Sequence, residues 1–230
     1  MRDTFYANRG VLDDKTCDAI REANVVVVGL GGLGGHLANA LVRMGVRKLT
    51  LIDPDTYVQS NLNRQLFSGK DTIGKRKVDV VEQALKAIMD DLEIVTYAER
   101  VEAVDDAVFH QADVVFDGVD DPRVKRALER RAGETNTLMV HGAIGGWYGQ
   151  VAVLKPPSTL LASLYEDKEG GLERDLRCPT FTLGVISYWM VAAWAKHVLK
   201  HPSAKVNQLV MIDLLNDACE IMVEGTSADG

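Results

Sequence analysis

Gly29, Gly31 and Gly34 stand in G-x-G-x-x-G spacing within Gly29-Leu30-Gly31-Gly32-Leu33-Gly34, and Asp53 follows about 20 residues later. A glycine turn that opens a helix presents backbone N–H groups to an anion, and a carboxylate at that distance suits a ribose hydroxyl. Asn61, Arg64 and Gln65, then Lys75 and Lys77, add amides and cations soon afterwards. A triphosphate needs several fixed donors, both to bind it and to stabilise charge developing at its α-phosphorus. A dinucleotide dehydrogenase would need only the glycine turn for its pyrophosphate, so the second set of groups disfavours that reading. Asp120, in Asp117-Gly118-Val119-Asp120-Asp121, supplies a carboxylate able to share a magnesium ion with phosphate oxygens. Blander roles stand beside these: Asp53 as a turn cap, Arg64 in a structural salt bridge, Lys75 as a solvated neighbour, and Asp117 as a strand-end stabiliser.

The elements that must position these groups alternate. Val25-Val26-Val27-Val28 reads as a strand buried on both faces, and Leu33 to Met44 continues with helical spacing. Leu49 to Ile52 is a second strand ending at Asp53. Pro54 to Lys77 is a long polar connection whose apolar anchors (Leu62, Leu66, Phe67, Ile73) mark it as ordered and functional. Val78 to Met89 is helical, and Leu92 to Ala98 and Asp113 to Asp117 are strands. A basic helix from Arg123 to Arg131 follows, with Asp121 as N-cap and Pro122 at its first position. Leu138 to Val140 is a fifth short strand. The pattern predicts an α/β fold with a doubly wound, mainly parallel, Rossmann-like sheet, its ligand at the carboxyl ends of the strands.

After Gly146 the pattern changes. Trp147 to Leu154, Val206 to Leu215 and Glu220 to Val223 read as an antiparallel C-terminal extension. Lys155 to Pro179, rich in Pro, Gly and charge, reads as a mobile crossover loop. Phe181 to Lys200 reads as a core or interface helix. The division is thus a single domain over 1–230: an arm and helix at 1–23 (helical from Val11), a nucleotide-binding core at 24–146, an extension at 147–224 and a tail at 225–230.

Gly69-Lys70-Asp71-Thr72-Ile73-Gly74-Lys75 imitates the start of a P-loop, but Arg76 stands where a metal-binding Ser or Thr belongs, and no strand precedes it. Cys17, Cys178 and Cys219 form no C-x-x-C pair, which argues against a disulfide framework and a four-thiolate zinc site. A net charge of -7 argues against a broad nucleic-acid surface. No segment is apolar for long enough to cross a bilayer and the N-terminus lacks a signal-like apolar core, so a cytoplasmic location is expected. His36, His110, His141, His197 and His201 fall in no motif and are read as structural or solvated.

In order along the chain, the glycine turn, Asp53, Ser60-Asn61-Leu62-Asn63-Arg64-Gln65, Gly74-Lys75-Arg76-Lys77-Val78 and Asp117-Gly118-Val119-Asp120-Asp121 make a sequence that resembles the ThiF/MoeB/HesA adenylyltransferases, relatives of the ubiquitin-activating enzymes. The resemblance runs from about residue 5 to 223. It implies that Gly29, Gly31, Gly32 and Gly34 cradle ATP, that Asp53 holds its ribose, and that Arg64 and Lys77 contact its phosphates. It also implies that Asn61 and Gln65 line the site, that Asp120 supports Mg2+, and that Arg9 reaches the ATP of the partner subunit in a homodimer. The implied reaction joins the C-terminal glycine carboxylate of a small ubiquitin-like sulfur carrier protein to AMP, releasing pyrophosphate. Cys178 lies near the family's crossover-loop cysteine, beside Arg174 and Arg177, and reads either as a covalent acceptor or as an incidental thiol. The two C-x-x-C pairs of many bacterial members are missing, so no zinc is expected. Two alternatives remain: an enzyme that adenylates and dehydrates a modified adenosine in tRNA, for which Asn63 is compatible, and a non-catalytic nucleotide-binding scaffold subunit.

Overall fold

The valine run forms β1 (Asn24–Val28), and its alternating side chains enter two different cores. Val25 and Val27 face one helical layer and Val26 and Val28 the other, as a central strand covered on both sides requires. The computed structural model describes residues 6–166 and 176–224. In it β1 lies parallel between β2 (Lys48–Ile52) and β4 (Val114–Asp117), with β3 (Glu93–Tyr97) outside β2 and β5 (Leu138–Gly145) outside β4. β6 (Tyr148–Leu154), β7 (Gln208–Asp213) and β8 (Ala218–Glu224) continue the same sheet antiparallel, in the order β3-β2-β1-β4-β5-β6-β7-β8. The chain reverses its winding between β1 and β4, which puts the crevice for a ligand at the carboxyl ends of those two strands.

One face carries α1 (Asp14–Glu22), α2 (Gly32–Met44), α3 (Lys77–Lys86) and a long apolar helix, α7 (Thr180–Val198). The other carries α4 (Asp106–His110), α5 (Pro122–Thr135) and α6 (Leu160–Leu164). α1 begins only at Asp14, because the Asp13 carboxylate accepts the Thr16 N–H at 2.7 Å and so caps the helix there; Val11 and Leu12 stay outside it. α5 begins as its sequence predicts, with Asp121 as N-cap accepting the Arg123 N–H at 2.8 Å and Pro122 in its first turn.

Two expectations are corrected and one is met. The fifth strand does not end at Val140 but runs on through His141 to Gly145, where Gly142 makes room for the Met190 side chain of α7. The antiparallel C-terminal extension is present as expected, and it continues the same sheet, since β6 pairs with β5 from Tyr148 to Leu154. The segment 155–179 is not a loose loop throughout: α6 lies within it, and Leu160 and Leu161 are buried against α5. Residues 167–175 of that connection, including Arg174, lie outside the described residues, as does the tail. No helix among the described residues is long and apolar enough to cross a membrane.

Candidate active site

At the carboxyl ends of β1, β2 and β4 lies an open cleft of about 620 Å³. Its floor is the glycine turn. Gly29 has φ +83°, and a Cβ there would stand 2.8 Å from the Gly118 carbonyl oxygen of the β4–α5 loop. A Cβ on Gly34 would fall 1.7 Å from the Gly29 oxygen, so Gly34 is what lets α2 press onto β1; it shapes the turn without lining the cleft. Gly31 is different, because only the Gln65 amide nitrogen, at 3.7 Å, comes near the place of its Cβ. Gly31 is the N-cap of α2 and no side chain caps that helix, so the first N–H groups of the helix are left for a ligand. Gly32, also in the cleft wall, packs against Leu183 of α7.

Asp53 lies at the cleft but is largely engaged. One carboxylate oxygen accepts the Leu30 N–H at 2.6 Å, and the other accepts the Asp55 N–H at 2.8 Å. Burial raises its pKa, against the opposing pull of Lys77. The turn-capping role is therefore real, and it holds the glycine turn against the end of β2. The connection 54–76 is ordered by backbone bonds from Tyr57 N–H to Lys75 C=O (3.0 Å) and from Lys77 N–H to Asp55 C=O (2.9 Å). Lys77 thereby enters α3 with its side chain buried, its ammonium 2.9 Å from Asp55 and 3.6 Å from Asp53. Lys75 is exposed and does not line the cleft.

Asn61, Arg64 and Gln65 all line the cleft. The Asn61 side chain accepts the Val58 N–H at 3.0 Å, and Arg64 donates to the Ser60 carbonyl at 2.6 Å, which sets both on the same short turn. Gln65 is buried beside the glycine turn, and its side-chain oxygen has no hydrogen-bond partner. A buried acceptor left unpaired is costly, and a ligand that donates to it would remove that cost. Asp120 is exposed on the opposite wall, one residue before the N-cap of α5. Among the described residues no cluster of three or more His, Cys, Asp or Glu could hold a metal. A magnesium ion carried mainly by phosphate oxygens and water needs only one or two carboxylates, which Asp120 fits.

Cys178 also lines the cleft, just after Arg177, whose carbonyl accepts the Gly146 N–H at 3.0 Å. Arg9 does not line the cleft of its own chain; its guanidinium meets Asp14. The lining residues that went unread in the sequence include Arg100 and Glu102, in the turn after β3, and Leu183. Position just past a parallel strand was a usable signal for the first two, whereas Leu183 reaches the cleft only by tertiary packing.

The sequence profile described as the ThiF family matches residues 6–228. Sulfur carrier protein ThiS adenylyltransferase of Escherichia coli is 33% identical over 157 residues, which is 66% of this chain and 62% of that protein. tRNA threonylcarbamoyladenosine dehydratase of Haemophilus influenzae is 32% identical over 130 residues, covering 55% of this chain and 50% of the relative. The chain thus spans less than two thirds of the length of either relative. The solved structure of E. coli MccB with ATP superposes with a TM-score of 0.76 at 19% identity, over 93% of this chain and 67% of that one, a likeness of fold.

Proposed function

The chain belongs to the ThiF family, and on that premise we propose that it is an ATP-dependent adenylyltransferase acting on a small ubiquitin-like sulfur carrier protein of the ThiS or MoaD type. The attacking group is the carrier's C-terminal glycine carboxylate, the products are an acyl-adenylate and pyrophosphate, and the enzyme works as a homodimer. The observation that carries this reading is that one cleft gathers the uncapped N-terminus of α2, Arg64, Lys77 and Asp120.

A carboxylate is already ionised at neutral pH, so the reaction needs no general base; positioning and charge neutralisation supply the rate. The N–H groups of α2 and the open face of Gly31 receive phosphate oxygens. Lys77 turns from Asp55 to the phosphates, an exchange of one anion for another that costs little, because Asp55 is mostly exposed. Arg64 adds a planar donor pair, Asp53 offers its remaining acceptor capacity to the ribose, and Asn61 and the unpaired Gln65 oxygen complete the polar wall. Asp120 would hold Mg2+, which on binding would neutralise part of the phosphate charge. Arg9 serves the neighbouring subunit's nucleotide. Cys178 is not needed for adenylation itself.

The test is magnesium-dependent ATP–pyrophosphate exchange with candidate carriers ending in Gly-Gly. Exchange that requires a carrier and falls about 100-fold in Arg64→Ala supports the reading. No exchange with any carrier, while ATP still binds, overturns the carrier assignment. One observation favours a second reading: identity to the H. influenzae tRNA dehydratase nearly equals that to the ThiS enzyme. The net charge of -7 weighs against it, and tRNA binding that weakens steeply with salt would establish it instead.

A further inference from the structure

Behind the cleft lies a buried polar cluster that the proposed chemistry does not use: Asp117, Lys125, His141, Gln150 and Tyr165. One Asp117 oxygen receives the Lys125 ammonium at 3.1 Å and His141 Nδ1 at 2.7 Å, and the other accepts the Val119 N–H at 3.1 Å. Lys125 also donates to the Gly142 carbonyl at 2.9 Å. Facing a carboxylate, His141 Nδ1 carries the proton, so Nε2 is left as an acceptor. It lies 3.1 Å from the Gln150 amide nitrogen and 3.4 Å from the Tyr165 hydroxyl, and Gln150 in turn donates to that hydroxyl.

Tyr165 ends α6, and α6 is fastened to α5 at both ends. The Glu129 carboxylate accepts the Leu161 and Ala162 N–H groups at 3.0 and 2.8 Å, and Arg126 donates to the Tyr165 and Glu166 carbonyls at 2.8 Å. Apolar packing alone would seat α6 without the cost of desolvating these groups, but it would not fix a carboxylate rotamer. The rotamer matters here because the same Asp117 carboxylate holds Val119, one residue from Asp120.

We infer that Tyr165 and His141 are positioning residues for the carboxylate loop of the cleft: through Asp117 they set where Val119 and Asp120 sit. They thereby tie the seating of α6, at the entrance of the connection that returns to the cleft at Cys178, to the nucleotide-facing wall. Only the kinetic consequence rests on the adenylation reading.

Two variants of the full chain remove the link at different ends. Tyr165→Phe deletes the hydroxyl, and His141→Asn keeps a donor for Asp117 but is too short for Tyr165. In the unliganded protein, amide hydrogen exchange at Val119–Asp121 is expected to rise about five- to tenfold in either variant, the size of one hydrogen bond, with amides of α2 and α7 unchanged. The turnover of pyrophosphate exchange is expected to fall by about the same factor while KM for ATP stays within about twofold. The double variant should be no worse than either single one. Unchanged amide exchange at 119–121 overturns the inference; so does a rise spread evenly over the molecule with a matching fall in melting temperature, or additivity of the two variants. If the unmodified protein shows no pyrophosphate exchange, the adenylation reading fails, and amide exchange alone decides the coupling.

Discussion

Two carboxylate–lysine pairs flank β1. Asp53 follows β2 and meets Lys77, the first residue of α3; Asp117 ends β4 and meets Lys125, early in α5. Both are buried, with side-chain exposures of 5% and 7% for the first pair and 0% and 2% for the second. Their pKa directions are nonetheless opposite. At Asp117 burial is outweighed by Lys125 and His141, which hold the carboxyl below its usual range. At Asp53 burial wins, because its lysine stands 3.6 Å away and leans on Asp55 instead. Burial alone therefore does not tell a fully committed ion pair from one that can change partners. Lys125 has spent its donors on interior partners, whereas Lys77 is held by an exposed carboxylate from which a phosphate can take it.

The sharpest way to break this contrast is to remove each lysine in turn. Lys125→Met leaves Asp117 buried without its cation and is expected to cost about 3–5 kcal/mol in urea denaturation. Adding Asp117→Asn should restore more than half of the loss, since a neutral pair carries no stranded charge. Lys77→Met should instead lower pyrophosphate exchange by about 100-fold, with a smaller stability loss in urea than Lys125→Met, because Asp53 keeps the Leu30 and Asp55 N–H donors. If both variants simply unfold the protein, the distinction collapses.

A smaller effect concerns pH. Burial first and Lys125 second hold the His141 pKa below its ordinary 6.5, against Asp117. Below 6.5 the unfolded chain therefore takes up a proton that the folded one refuses, and stability falls as pH drops through that window toward the folded value. His36 and His197, lowered by burial, contribute in the same sense. His141→Asn should flatten the slope between pH 6.5 and 5 by up to about 1.4 kcal/mol per pH unit, measured as urea midpoints.

The half of the contrast that faces the cleft was legible in the sequence. β-branched residues in a run, glycines at fixed spacing and an acid at the end of the next strand are local signals, and they placed β1, α2 and Asp53 where the fold has them. The interior half was hidden. Lys125 sits in a helix crowded with Arg, where a solvated face is the natural reading, yet it is buried because α5 turns that position toward β4 and β5. His141 was read as structural or solvated and lies wholly inside, since β5 continues past Val140, where the strand was read to end. α4 and α6 are too short to show a helical period, so their stretches carried no signal.

The strand order also has a consequence for synthesis. Val25 of β1 pairs on one side with Leu49 but on the other with Val114, so the second edge of the valine strand stays unpaired until most of the first half of the chain has been translated. At ribosomal speeds that interval is roughly 5–20 s, during which an edge with four consecutive valines is open to any neighbouring strand. The nascent polypeptide is therefore most in need of a chaperone before Val114 emerges from the exit tunnel, and fragments ending short of β4 should aggregate where longer ones remain dispersed.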